Sequence, residues 1–160
     1  MPKTIAVVVL GDLGRSPRMK NHALALAKEG FNVRMIGYGG SSLGDKITKN
    51  SNITVRTMSP PITYNFVLKR YVNYIVKCIW QTITLLLSIG IPNSILLQNP
   101  PSIPVLPLCY CYVKLLQFFG KDIELVLDWH NYGYSIMALS LGQSKSSLPL
   151  VTFSRHVEGK

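Results

Sequence analysis

Asp128 and His130 stand two residues apart where an apolar run ends, in Asp128-Trp129-His130-Asn131-Tyr132-Gly133-Tyr134-Ser135. On an extended strand, residues i and i+2 point to the same face, so the carboxylate could orient or polarise the imidazole as a general base. Asn131, Tyr132 and Ser135 add amide and hydroxyl groups suited to a hydroxyl-rich ligand. A second constellation lies near the start, in Gly11-Asp12-Leu13-Gly14-Arg15-Ser16. There two glycines and the amides of a helix N-terminus, with Arg15 and Arg18 close by, favour a phosphate or pyrophosphate. The G-x-G-x-x-G dinucleotide fingerprint is absent, and Arg34 stands about where a ribose-binding carboxylate is expected. Each constellation has a plainer reading: glycines needed for a tight turn, and a strand-end Asp that caps the next helix. His22 falls inside the first helix at neither metal nor triad spacing and reads as surface or packing.

Both sites need a scaffold that brings separate loops together. Residues 4–10 are apolar on both faces, as a central parallel strand covered on each side must be. Ser16 as N-cap, Pro17 at the first helical position, an apolar face of Ala23, Leu24, Leu26 and Ala27, and Gly30 at the end predict a helix next. Further strands are predicted over 31–37, 53–58, 94–98 and 124–129, and helices near 65–89, 102–119 and 134–141. Strands alternating with helices predict an α/β fold, a Rossmann-like doubly wound parallel sheet. Ligands of such sheets bind beyond the carboxyl ends of the strands. That rule nominates loops 11–16, 37–44, 98–102 and 128–135, and with them Gln98 and Asn99. The domain is expected over 1–142, followed by a Ser-rich, poorly ordered or truncated tail over 143–160.

A chain of 160 residues suffices for one domain with a real core. Seventeen Lys and Arg against seven Asp and Glu give +10 with His neutral, yet only 15% of residues are charged and 48% are hydrophobic. With a mean hydropathy of +0.24, disorder is excluded and either a tightly packed core or membrane contact is indicated. No acid occurs between Asp45 and Asp122, while Lys46, Lys49, Arg56, Lys69, Arg70, Lys77, Lys114 and Lys121 all do. Most of these bases punctuate apolar runs instead of lining a polar groove. An anionic membrane surface or a lipid-borne phosphate is therefore the expected partner, and nucleic acid is not. Cys78, Cys109 and Cys111 have no metal-ligand spacing and sit in apolar runs. They read as buried thiols, with no metal site.

The stretch near 65–89 sharpens the membrane expectation. Its polar residues Lys69, Arg70, Asn73, Lys77, Gln81, Thr84 and Ser88 form a narrow stripe, and the apolar remainder, including Tyr71, Tyr74, Trp80, Ile83 and Leu87, exceeds what packing on a sheet uses. Basic residues bordering aromatic and aliphatic ones suit the bilayer interface, with Lys69, Arg70, Tyr74, Lys77 and Trp80 in contact. Lys77 near the middle argues for lying on the bilayer instead of crossing it. The run 105–119 would join it; otherwise both are buried crossover helices.

Three blocks, Leu10-Gly11-Asp12-Leu13-Gly14-Arg15-Ser16-Pro17-Arg18-Met19, Leu97-Gln98-Asn99-Pro100-Pro101 and 128–135, together resemble the N-terminal half of the chitobiosyldiphosphodolichol β-mannosyltransferases. The resemblance runs from about residue 4 to 142, and each block falls on a loop already nominated by strand topology. It implies an inverting glycosyltransferase of the B-type fold, two Rossmann-like domains facing a cleft, that moves mannose from GDP-mannose onto dolichyl-diphosphate-linked chitobiose. The setting implied is the cytosolic face of the endoplasmic reticulum membrane, with other glycosyltransferases of the same pathway as further partners and no cofactor. By the same resemblance, Gly14, Arg15 and Arg18 would bind the acceptor diphosphate, with Gly11, Asp12 and Ser16 also binding substrate. Gln98, Asn99, Asn131, Tyr132 and Ser135 would contact substrate, and His130 or Asp128 would be the catalytic base. The resemblance also implies a membrane anchor before the first strand and a GDP-mannose domain after residue 160, neither of them within these residues. Aligning donor and acceptor needs both walls of the cleft, so the chain alone is expected to be inactive. The alternative is a non-catalytic membrane-bound module that recruits a separate nucleotide-sugar-binding subunit.

Overall fold

The computed structural model describes residues 2–60, 70–99 and 105–129, with the side chains of 70–75 outside that set. The described elements run β1 (Thr4–Asp12), α1 (Pro17–Lys28), β2 (Asn32–Tyr38), α2 (Asp45–Thr48), β3 (Ile53–Met58), α3 (Arg70–Ile89), β4 (Ser94–Asn99), α4 (Val105–Phe118) and β5 (Glu124–Trp129). All strand pairs are parallel, in the order β3-β2-β1-β4-β5. This is the predicted Rossmann-like doubly wound sheet. The order reverses between β1 and β4, and the crevice of such a fold opens at that point. The expected helix over 134–141 and the tail over 143–160 lie outside the described residues.

Ala6, Val7, Val8 and Val9 are buried because β1 is central and covered on both faces. Val7 and Val9 pack under α1 and α2 with Met19, Ala23, Met35 and Ile47. Ala6 and Val8 face the α3 and α4 layer with Leu85, Ile89, Leu97, Cys109 and Val113. Met19, Ala23 and Ala27 recur every fourth residue, which keeps one stripe of α1 on the sheet. The helix closes as predicted at Gly30, whose φ of 85° lets Phe31 N–H donate to Leu26 O at 3.1 Å. Ser16 does not cap as expected. Its hydroxyl donates to Asp12 O at 3.4 Å, and no side chain caps α1.

The cysteine expectation needs one correction. Cys109 is buried, its thiol pushed up to about 12 by desolvation. Cys78 is half-buried, but Cys111 is exposed, because it lies on the turn of α4 that faces away from the sheet.

Arg34 is a half-buried strand residue whose guanidinium Nη1 donates to Ile89 O, capping the last turn of α3 where the helix dipole favours a cation. Gly90 follows with φ 61°, and its carbonyl accepts from Tyr112 Oη at 2.6 Å, tying α3 to α4. A Cβ at Gly90 would also lie 2.7 Å from Arg34 Nη1. Gly90→Ala is therefore expected to cost about 1–2 kcal/mol through left-handed strain alone, and more where the Arg34 cap is displaced. A lower urea midpoint at unchanged slope would register this.

Candidate functional site

The glycine-containing turn after β1 is held shut by a carboxylate. Asp12 accepts from Gly14 N–H at 2.9 Å, from Ser41 N–H at 3.0 Å and from Ser41 Oγ at 2.6 Å. Arg15 Nε lies 4.0 Å away. These bonds, the Ser41 hydroxyl foremost, hold the Asp12 carboxyl below its usual range. The two loops meet so closely that a Cβ on Gly14 would come within 2.5 Å of Ser41 O. Lys20 Nζ adds a bond to Gly14 O at 2.8 Å. Gly14 is thus required by close approach, and its amide serves Asp12. Gly11 lies one residue before the end of β1, where an added Cβ would meet Val9 Cγ1 at 3.9 Å and nothing nearer among the described residues. Arg15, with 82% of its side chain exposed, is the cation this turn presents to an anion.

The second half of the crevice is built on Asp128. Its side chain is only 7% exposed, and Arg18 Nη2 of α1 meets Oδ1 at 2.6 Å. His22 Nε2, one helical turn after Arg18, stands 3.7 Å from Oδ2. Gln98 of β4 lies beside Asp128 in register, so both side chains point to the α1 face. Asn99 is fully buried, and its register partner is Trp129. Within this group His22 Nε2, Gln98 Oε1 and Asp128 Oδ2 are buried with no hydrogen bond among the described residues. Buried polar atoms are seldom left so. The structure therefore joins the first turn of α1 to the end of β5. His130, Asn131, Tyr132 and Ser135 lie outside the described residues.

Three contributors were not identified by sequence reasoning: His22, Lys20 and Ser41. The i, i+4 spacing of Arg18 and His22 was a usable signal, since it sets both on one helix face. Ser41 carried no signal beyond its loop. Chemically, the crevice offers exposed guanidinium groups for an anion and a buried carboxylate that fixes Arg18 and faces an imidazole. Among the described residues no three His, Cys, Asp or Glu are placed to hold a metal ion.

On the other face of the sheet, α3 turns Val76, Ile79, Ile83 and Leu87 to solvent, at spacings of three and four residues. Ile83 and Leu87 are thus exposed as expected, while Lys77 and Trp80 are half-buried. Lys69 and the side chains of Arg70 and Tyr74 fall outside the described set. From α4 and the turn after it, Tyr110, Leu115, Phe118 and Phe119 are exposed as well. Among the described residues no helix is long and apolar enough to cross a membrane.

Comparison with known proteins first gives a class. The fold is similar to the C-terminal domain of a hydrogenase from Pyrococcus furiosus, at a TM-score of 0.51 and 14% identity over 79% of this chain and 93% of that one, a likeness of fold alone. In sequence, the relatives are glycosyltransferases. The chain is 41% identical over 98% of its length to the chitobiosyldiphosphodolichol β-mannosyltransferase of Yarrowia lipolytica, of which it covers 33%. It is 39% identical over 96% of its length to the Homo sapiens protein of that name, covering 32%. The UDP-glycosyltransferase TURAN of Arabidopsis thaliana is 37% identical over 96% of the chain, which covers 34% of it. No family model matches. The resemblance carried by the three motif blocks thus extends along nearly the whole chain, which spans about one third of the length of these relatives.

The Asp12 clamp gives a pH prediction. Because the folded carboxyl titrates below its free value of 3.8, its stabilisation is complete above that value and is lost as pH falls through the lower, folded one. Protection of the Gly14 and Ser41 amides from exchange should hold at about pH 5 and fall once the pH is well below 3.8. In Asp12→Asn the same amides should be poorly protected at every pH.

Proposed function

We propose that this chain is the acceptor-binding part of a chitobiosyldiphosphodolichol β-mannosyltransferase, which moves mannose from GDP-mannose to dolichyl-diphosphate-linked chitobiose with inversion. The observation that carries this reading is that the blocks resembling those enzymes at 10–19 and from 128 onward meet through Arg18 and Asp128. An acceptor of this class presents a diphosphate on a long apolar chain. Arg15 and the Arg18 guanidinium suit the former, and the outward apolar faces of α3 and α4 suit the surface of a membrane that holds the latter.

In the reaction, an acceptor hydroxyl oxygen forms a bond to the anomeric carbon while the bond from that carbon to the GDP phosphate oxygen breaks. GDP departs with that electron pair, and the hydroxyl proton passes to a base. Of the two candidates, Asp128 is engaged by Arg18 and is suited to positioning. Proton transfer is therefore assigned to His130. The cytosolic face of the endoplasmic reticulum is the proposed location, and other glycosyltransferases of the pathway are proposed neighbours there.

The deciding experiment supplies GDP-mannose, or UDP-sugars in parallel, with lipid-linked chitobiose. The chain alone should bind acceptor without transfer, and fusion to the remaining two thirds of a relative such as the Yarrowia enzyme should restore mannose transfer. Restoration by a separate nucleotide-sugar-binding protein instead would establish the recruiting-module reading.

Membrane contact has its own test in vesicle co-sedimentation. Ile83→Glu with Leu87→Glu changes residues 47% and 76% exposed, so thermal stability should be kept. Binding to vesicles containing phosphatidylserine should fall about tenfold or more.

A further inference from the structure

An open cleft of about 530 Å³ lies at the carboxyl ends of β2 and β3, lined by Tyr38, Gly39, Thr57, Met58, Pro60 and Gln81. It is distinct from the Arg18, His22 and Asp128 crevice. Tyr38 and Met58 belong to the core on the α3 side of the sheet, whereas Arg18 and His22 come from α1 on the other side. Its size falls within the roughly 300–1,000 Å³ typical of small-molecule sites.

The lining tells what kind of ligand fits. Tyr38 and Gln81 bring its principal polar side-chain groups, and burial raises the pKa of the Tyr38 phenol above its ordinary value. Thr57 turns its methyl toward Gly39, where an added Cβ would stand 3.3 Å from Cγ2. Met58 and Pro60 supply further apolar wall. With Tyr38 and Gln81 set among the Thr57 methyl, Met58 and Pro60, the cleft offers an occupant chiefly apolar contact. A sugar seated there would exchange many water bonds for the few that this lining offers.

Its surroundings tell how such a ligand would arrive. On one side Gly39 leads into Gly40 and Ser41, and Gly40 packs on the Asp12 carboxylate, so the rim continues into the clamped turn that presents Arg15. On the other side the wall is α3. Gln81 lies one turn after Lys77, whereas the exposed Ile79 and Ile83, two residues to either side, point away from it around the helix. The cleft therefore lies between a cationic turn and α3.

We propose that this cleft receives the isoprene units next to the diphosphate of a polyprenyl-diphosphate ligand. The inference rests on the acceptor reading above and deepens it. The charged head reaches the Arg15 turn and the first isoprene units fill the cleft.

Farnesyl diphosphate and inorganic pyrophosphate are the probes, titrated calorimetrically into the 160-residue chain. Farnesyl diphosphate should bind about tenfold or more tightly than pyrophosphate, because only it buries apolar surface. Gly39→Val fills the cleft at a residue without positive φ, and Thr57→Asp puts a charge on its exposed wall. Either should abolish the farnesyl advantage and leave pyrophosphate binding unchanged. If one variant fails to fold, the other carries the test. Equal affinity for the two probes, or an advantage that survives a folded variant, overturns the proposal. So does binding of diacetylchitobiose that these variants abolish, which would make the cleft a sugar subsite. If lipid-linked chitobiose binds but is indifferent to both variants, this inference falls while the acceptor reading stands. If farnesyl diphosphate behaves as expected and lipid-linked chitobiose does not bind, the acceptor reading falls and the isoprenoid site remains.

Discussion

A carboxylate buried to the extent of Asp128 costs several kcal/mol unless a matching charge reaches it, and in this fold the match comes from another part of the chain. Arg18 belongs to the helix after β1, whereas Asp128 ends β5, with β4 lying between the two strands. The doubly wound order makes the meeting feasible, because parallel strands bring their carboxyl ends to one edge and α1 starts from that same edge. Once made, the pair joins the start of α1 to the far strand across the reversal of strand order. His22 and Gln98 are drawn in by the same geometry, one by helical period and the other by strand register.

The neighbouring clamp follows the same logic with weaker forces. Asp12 holds the loop that begins at Gly39 against the turn that contains Gly14, and only a residue without a side chain lets the two backbones come so near. What looked in the sequence like an anion cradle made of glycine amides is a rigid turn with its Gly14 amide already engaged. Its cationic character comes from Arg15.

The fold was legible because burial writes itself into local pattern. The limits of β3 and β5 match expectation residue for residue, since each is a short apolar or β-branched run between polar or glycine-rich flanks. β1 continues past the predicted residue 10 to Asp12, because a register shift after Val8 lets Asp12 pair with Tyr38. The four-residue α2 is too short for any helical period to show. At the site, residue types were legible and partners were not. Asp128 and Arg18 were both singled out, yet their contact spans more than a hundred residues and depends on tertiary packing. Ser41, His22 and the exposure of Cys111 are hidden for the same reason: each depends on which way an element faces.

The two faces of the sheet divide the physical work. On the α1 side, ionic and hydrogen-bonding groups gather at the carboxyl edge. On the α3 side, the helix has apolar residues toward both the core and solvent, with Lys77, Gln81, Thr84 and Ser88 as a strip between them. Thr84 and Ser88 turn their hydroxyls back onto backbone carbonyls, at 2.9 Å to Trp80 O and 2.6 Å to Thr84 O. That satisfies them without water and lets the helix sit against an apolar medium. A ligand with a charged head and a greasy tail has no favourable position on either face alone. Only the carboxyl edge of β1 and β2 touches both environments, and the Tyr38 cleft and the Arg15 turn lie side by side there.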